Sequence, residues 1–422
     1  MLLKKPSVLL IPVMSKLHKK KALEVTRKVR NLFRKELKVL GPKKPVFDLG
    51  DFSKIKVRNL DFDVGVVFVG SGGTSKIVAD IALNKDWFIL AYDKNNSLPS
   101  ALSAKEKMVS MGGWKGKLVY TDLQKVPDEI VNTAYVSQIL KLLKKVRIGV
   151  FDKKDQKLRD SIEFVKKCFQ VKVSVFPLRK LLSTVREVQV KNVENELNKK
   201  IGRIKIHKVS KKDLVEAFRL YLALKKIIRA KNLSCVTFDC FEYLKSLRET
   251  PCLAFSLLNN EGFQGVCENE VLYAPLMFIM ANLTKRPVWI ANLAKISLKD
   301  NTVMLTHCTA ATKLSDGKRN VLIKPHFESG LSVSLDVPLE RGFVTLAHLR
   351  LNPPSIVIAE GCLLKSQIGL RDECRTQAYI KLDGNLQKFV KLTGNHHVVG
   401  YGKHASALAL IAERIGLAYY TT

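Results

Sequence analysis

The chain has 422 residues, 46% of them hydrophobic, and 72 Lys and Arg against 38 Asp and Glu give it a formal net charge of +34. This composition excludes an intrinsically disordered chain and supplies enough apolar side chain for two or three globular domains. The eight cysteines are dispersed without a CxxC pair, which excludes zinc-ribbon and thioredoxin-like designs and suits reduced core residues of a cytoplasmic protein.

In chain order, Ser7 to Val13 is predicted as a buried first strand, its apolar run being too short for a signal segment. Ser15 to Leu40 follows as one long basic helix, with Val25, Val29, Leu32 and Phe33 on a single face. Val64 to Val69, Trp87 to Tyr92 and Leu118 to Thr121 are further strands, and Lys76 to Leu83 is a helix. Continuous apolar strands alternating with helices predict a doubly wound parallel sheet. A second unit of the same kind starts near Val146, with strands at Arg147 to Phe151, Val171 to Phe176 and Ser234 to Phe238. Its helices are Lys157 to Phe169, Asn192 to Lys200 and Lys211 to Ala230. After about Ile290 short strands with turn residues between them predict a β-rich module, which a helix at His404 to Ile415 closes. The fold class expected is therefore α/β, with two Rossmann-like doubly wound domains, 1–145 and 146–290, and a β-rich C-terminal domain, 291–422. No later segment is long enough to span a bilayer.

Acidic residues are scarce and they cluster. Asp239, Glu242, Glu249, Glu261, Glu268 and Glu270 fall within one short stretch, opposed only by Lys245 and Arg248. Carboxylates crowded together repel one another, and a bound cation relieves that repulsion. Far along the chain, Asn395-His396-His397 offers imidazole nitrogens. Oxygen ligands with one imidazole suit Mn²⁺ or another hard divalent cation. Neighbouring histidines point to opposite sides of a strand, so at most one of His396 and His397 is expected as a ligand. His307 and His326 are further histidines that either join such a site or pack.

The loop Gly70-Ser71-Gly72-Gly73-Thr74-Ser75 lies between a strand and a helix, where backbone N–H groups can meet an anion. It fits neither G-x-G-x-x-G nor the P-loop pattern, and a tight turn is the alternative reading.

Cys267-Glu268-Asn269-Glu270, Leu305-Thr306-His307-Cys308, Lys324-Pro325-His326-Phe327-Glu328-Ser329-Gly330, Cys374-Arg375-Thr376-Gln377 and Gly394-Asn395-His396-His397 together resemble the L-fucose isomerase-like family, which is related to the L-arabinose isomerases. Asn95-Asn96-Ser97-Leu98-Pro99-Ser100 adds to the likeness in the first half. The resemblance implies a metal-dependent aldose–ketose isomerase working through a cis-enediol. It implies Glu242, Glu270 and His396 as Mn²⁺ ligands, with Asp239 as the alternative to Glu242, and Glu242 and Glu270 as the acid/base pair. It implies substrate contacts from Glu268, Asn269, His307, His326, Arg375, Asn395 and His397. In a homo-oligomer, a trimer or hexamer, Gly73, Thr74, Asn96 and Ser97 of a first domain would reach a neighbour's site. Two features depart from the family: the chain is shorter than the well-known bacterial fucose isomerases, and Glu270 stands where Asp is frequent.

Two other functions compete. The charge would suit a nucleic-acid partner, and the first 60 residues alone hold 17 Lys and Arg against 4 Asp and Glu. Recognisable nucleic-acid modules are lacking, and the charge reads first as a solubilising surface. A nucleotide-binding oxidoreductase is the third reading, with Asp93 near the position of a ribose-binding acid.

Overall fold

The computed structural model describes residues 4–152, 156–202 and 204–422. The chain divides into two compact units, residues 3–139 and residues 140–422.

The N-terminal unit is a five-stranded parallel sheet of β1 (Ser7–Val13), β2 (Lys38–Leu40), β3 (Val64–Val69), β4 (Phe88–Tyr92) and β5 (Lys117–Thr121), in the order β2-β1-β3-β4-β5. Helices α1 (Lys19–Glu36), α2 (Leu49–Ser53), α3 (Ser75–Ala82) and α4 (Ser97–Ser110) connect the strands, and α5 (Asp128–Leu143) follows β5. Strand alternation sends Val8, Leu10, Val66 and Phe68 to one apolar layer with α1 and α5, and Leu9, Ile11, Val67 and Val69 to the other with α3 and α4. That is why β3 is buried along its whole length. The single helix expected over Ser15 to Leu40 is shorter. It ends at Glu36, Leu37 turns extended, and Lys38–Leu40 pairs in parallel with Ser7–Leu9. The backbone groups of the β1 edge find partners there that a continued helix would leave without them.

The second unit begins with a four-stranded parallel sheet, ordered β10-β9-β6-β7, from β6 (Arg147–Asp152), β7 (Lys172–Pro177), β9 (Cys235–Phe238) and β10 (Gln264–Val266). The short β8 (Lys205–Ile206) pairs elsewhere, with β13 (Leu322–Lys324). Around the sheet run α6 (Gln156–Phe169), α7 (Leu178–Glu187), α8 (Val190–Ile201), α9 (Lys211–Lys231), α10 (Cys240–Leu247), α11 (Cys252–Asn260) and α12 (Tyr273–Thr284).

The rest of the unit is an antiparallel barrel. Its strands β11 (Trp289–Ser297), β12 (Thr302–His307), β15 (Gly342–Arg350), β16 (Ser355–Ser366), β17 (Thr376–Leu382) and β18 (His396–Tyr401) run in the order β15-β18-β11-β12-β17-β16, and β16 pairs back on β15 to close the ring. Closure leaves no open edge within the ring. β14 (Ser334–Asp336) extends the small sheet of β8 and β13, α13 (Leu386–Leu392) and α14 (Ala405–Ile415) follow β17 and β18, and β19 (Ala418–Thr421) adds in parallel to Ser355–Ile358. One continuous core joins the parallel sheet to the barrel, with Phe238, Phe255, Trp289, Leu305 and Phe389 in it. This continuity positions the candidate site residues, because the chain after β10, the middle of β11, the end of β12 and the segment before β17 line the same cavity. The barrel strand β11 escapes the sequence reading. Among the described residues no helix is long and apolar enough to cross a membrane.

Candidate functional site

The chain leaves the carboxyl end of β10 through Cys267 and places Glu268, Asn269 and Glu270 in the turn before α12. Glu268 and Asn269 are both left-handed, with φ of 57° and 56°. Such a conformation costs a non-glycine residue roughly 1–3 kcal/mol. The Asn269 N–H donates to Phe238 O at the end of β9 at 3.0 Å, and the Glu270 N–H donates to Cys267 O at 3.2 Å. These bonds hold the strained turn, and with it the Glu268 carboxylate, at the strand ends where open parallel sheets carry their chemistry.

The barrel supplies the other side. His307 is the last residue of β12 and His396 the first of β18, and both are buried. Glu268 lies between them: its Oε1 is 3.5 Å from His307 Nε2 and its Oε2 is 3.3 Å from His396 Nε2. The other nitrogen of each ring has its own partner. His307 Nδ1 meets Thr309 Oγ1 at 3.1 Å, and His396 Nδ1 faces Glu270 Oε1 at 3.4 Å. Thus Glu270 stands behind His396, not beside Glu268. On the neighbouring strand β11, Asn292 is the register partner of His396. Its Oδ1 is buried and finds no hydrogen-bond partner, and the same holds for Nε2 of His307 and Nε2 of His396.

The electrostatics are one-sided. Burial would raise the Glu268 carboxyl, but the facing imidazoles of His307 and His396 outweigh it and hold the group well below the usual carboxylate range. Burial would lower His396, but Glu268 and Glu270 raise it to about 9. A carboxylate is therefore fixed in its charged form between two imidazoles.

Two tests bear on whether a cation fits. Separations of 3.3–3.5 Å are long for hydrogen bonds but match adjacent ligands of one ion, since bonds of about 2.1 Å at right-angled or tetrahedral geometry set ligand atoms about 3.0–3.4 Å apart. Ligand atoms of Glu268, His307 and His396 all lie within 4.8 Å of one another. The orphaned buried atoms add a second sign, because unpartnered polar groups are costly unless something unseen pairs with them. The donor set, two imidazoles and one carboxylate, fits a borderline divalent ion such as Mn²⁺, Fe²⁺, Co²⁺ or Zn²⁺. It is richer in nitrogen than the set expected from the sequence. Asn292 and a cavity of about 40 Å³ lie alongside, while the Glu268 and Glu270 side chains keep 31% and 32% of their exposure and leave an approach from solvent.

The remaining sequence-predicted residues are placed as follows. Glu242, on α10, is ion-paired with Lys245 at 3.1 Å and belongs to none of the facing ligand groups among the described residues. Asp239 caps the same helix, its Oδ1 accepting from the Phe241 and Glu242 N–H groups at 2.8 and 3.1 Å. His397 points away from His396, as alternation along a strand requires. Its nitrogens meet Asn395 O and Thr393 Oγ1, and its ring packs between Phe389 and His348. Asn395 is exposed. His326 is buried next to Cys252 and Cys308 instead of Glu268. The Arg375 guanidinium donates to Pro325 O at 3.0 Å and Arg371 O at 3.3 Å.

Within the N-terminal unit, Thr74 and Ser97 are buried and their hydroxyls serve the loop itself. Thr74 Oγ1 donates to Ser71 O at 2.8 Å, and Ser97 Oγ donates to Val69 O and accepts from the Tyr92 N–H. Gly73 has φ of 73°, and Asn96 is exposed with φ of 54°. These contacts are those of a tight turn.

Sequence reasoning missed Asn292, and also His348, whose Nδ1 meets His396 O at 2.8 Å and the Tyr273 hydroxyl at 2.9 Å. A strand reading of Trp289–Ser297 would have paired Asn292 with the histidine strand.

Comparison with known proteins agrees with this picture in its coarser part. The model of the L-arabinose isomerase central domain matches residues 157–286, a stretch that includes Glu268 and Glu270. Sulfoquinovose isomerase of Clostridium sp. (strain MSTE9) is 26% identical over 110 residues, 26% of this chain and 25% of that protein. Sulfoquinovose isomerase of Alkalicoccus urumqiensis is 25% identical over 134 residues, 31% of this chain and 30% of that protein. The chain thus spans between a quarter and a third of the length of the curated relatives it matches. These likenesses support a place in the sugar isomerase superfamily.

Proposed function

We propose that the protein is an aldose–ketose isomerase whose divalent cation is held by Glu268, His307 and His396. The observation that carries this reading is the Glu268 carboxylate set between two buried imidazole Nε2 atoms that lack hydrogen-bond partners, in a chain similar to sugar isomerases. A fucose- or arabinose-type sugar is the finer expectation from the sequence, and the named relatives add sulfoquinovose as a candidate substrate. In the same reading residues 1–145 and 146–290 are the two Rossmann-like domains, 291–422 is the β-rich domain, and the protein works as a cytoplasmic homo-oligomer.

The reaction moves one hydrogen from C2 to C1 of an aldose. A divalent ion at this centre would supply Lewis acidity to the carbonyl oxygen. Glu268 and the two imidazoles would hold it, and the Thr309 hydroxyl bonded to His307 Nδ1 and the Glu270 carboxylate facing His396 Nδ1 keep both rings turned inward. Glu270 is the group proposed to carry the proton. One of its oxygens faces His396, and the other accepts the C2 proton as the C–H electron pair becomes the C1–C2 double bond of a cis-enediol. O1 takes a proton from solvent water in that step. Glu270 then returns its proton to C1 while O2 gives one back to solvent, which leaves the ketose. The strained turn, tied by backbone hydrogen bonds to Phe238 and Cys267, keeps Glu268 and Glu270 fixed relative to each other during both steps.

The test follows L-arabinose, L-fucose and sulfoquinovose by NMR, with and without added Mn²⁺, using the chain and its Glu268→Gln variant. Interconversion of an aldose with its ketose that needs the metal and disappears in the variant is expected. Absence of interconversion in metal-loaded protein with every sugar overturns the reading.

A further inference from the structure

A second group of ligand-type side chains lies beside this centre and takes no part in it. Cys252 at the start of α11, Cys308 just after β12 and His326 after β13 are all buried, and their sulfurs and ring nitrogen lie within 4.8 Å of one another. Cys374, half-buried just before β17, is a further thiol on the same cavity. All four side chains line the cavity of about 40 Å³. Every cysteine is a free thiol. The sequence reading took the cysteines as dispersed core residues, because no CxxC pair occurs and their surroundings are mostly apolar. Folding brings the four side chains together from four segments.

Thiols are weak hydrogen-bond partners for one another, so packing them together gains little by itself. Around a tetrahedral zinc-type ion, bonds of about 2.3 Å to sulfur and 2.0–2.1 Å to nitrogen would set the ligand atoms about 3.4–3.8 Å apart. From separations within 4.8 Å, Cys252, Cys308 and His326 need each shift by no more than about 1 Å, and Cys374, on the same cavity, is the fourth ligand of the proposal. The surroundings are already those of a metal site. His326 Nδ1 meets Ser329 Oγ at 3.0 Å, which leaves Nε2 as the nitrogen to offer a metal, and the Arg375 backbone N–H points at Cys308 Sγ at 3.4 Å. Three sulfurs and one imidazole favour a soft or borderline ion and disfavour Mg²⁺, Ca²⁺ or Mn²⁺.

We propose that Cys252, Cys308, Cys374 and His326 form a four-coordinate site for a zinc-type divalent ion, distinct from the Glu268 centre. Binding releases the thiol protons to solvent as the ion takes their place. The ion ties α11, on the parallel-sheet side, to the loops after β12, after β13 and before β17, and so acts as a structural clasp behind the reactive centre.

The experiment titrates the metal-free full chain with Co²⁺ and reads the thiolate-to-cobalt charge-transfer absorption. A band that saturates at one equivalent is expected. It disappears in Cys252→Ser and Cys374→Ser, and it persists in Glu268→Gln, where the isomerase reading predicts loss of Mn²⁺ binding. Absence of the band overturns the proposal. So does a band that survives in the Cys252→Ser/Cys374→Ser double variant, which would place the thiolates elsewhere, or one abolished by Glu268→Gln alone, which would leave a single shared site. X-ray absorption of the zinc-loaded unaltered chain decides independently of whether the variants fold: a shell dominated by sulfur at about 2.3 Å is expected, and a shell of nitrogen and oxygen alone overturns the assignment.

Discussion

Glu268 Oε2 and His396 Nε2 face each other at 3.3 Å, one at the end of a parallel strand and the other at the start of a barrel strand. Neither atom has a better partner, and the same carboxylate reaches His307 at 3.5 Å through its second oxygen. Removing its charge therefore dismantles the centre more completely than any other single change. Glu268→Gln keeps size and shape, so the fold is expected to persist while Mn²⁺ affinity falls on the order of 100-fold or more. Isothermal titration calorimetry measures the loss, and circular dichroism checks the fold. Unaltered affinity would exclude Glu268 as a ligand.

Asn292 gives a test of opposite sign. Its buried Oδ1 has no partner and its strand position is opposite His396. If a cation sits beside it, Asn292→Asp adds a second carboxylate to the donor set and raises divalent affinity about tenfold. Without a cation, the same change buries an unpaired charge and lowers stability by several kcal/mol. Melting temperature with and without Mn²⁺ separates the outcomes: the variant is expected to be less stable than the unaltered chain when metal-free and to gain more on adding the ion.

Gly394 controls how β18 begins. A Cβ at this position would stand 2.9 Å from Cε1 of His348, the ring that meets the His396 carbonyl. Gly394→Ala is expected to push this ring aside, cost roughly 1–3 kcal/mol in stability and weaken metal binding through the displaced His396. Urea denaturation and metal titration of the same variant read both effects. Unchanged stability would show that the ring has room to move.

Glu249 predicts a pH dependence unrelated to catalysis. Burial pushes its carboxyl up to about 7, against the Ser332 hydroxyl that donates to it at 2.5 Å. A carboxyl with a raised folded pKa favours the folded state while protonated. Its contribution is complete below the ordinary value of 4.5 and is lost as pH rises through about 7. This linkage is worth on the order of 3 kcal/mol. Glu249→Gln keeps an acceptor for Ser332 and never ionises, so it is expected to hold its stability between about pH 5 and about pH 8, while the unaltered chain loses about that amount. Urea denaturation across this range is the measurement, and parallel curves for the two proteins would contradict it.

The sequence by itself determined the elements whose hydrophobic pattern is unambiguous. Ser7–Val13 and Val64–Val69 are strands because uninterrupted apolar runs of that length must be buried on both faces. The opposed directions of His396 and His397 also followed from strand alternation alone. The residue types near the centre were visible as a carboxylate cluster and a histidine pair. Only the tertiary structure decided which of them meet. Glu268, and not Glu270, lies between His307 and His396 because two left-handed residues turn the chain there, and a turn of that kind leaves no periodic trace. Glu242, within the same acidic stretch, is drawn to Lys245 by the helix that Asp239 caps. Asn292 and the gathered cysteines depend on barrel closure and on strand register, which are set by contacts between segments far apart in the chain and not by local composition.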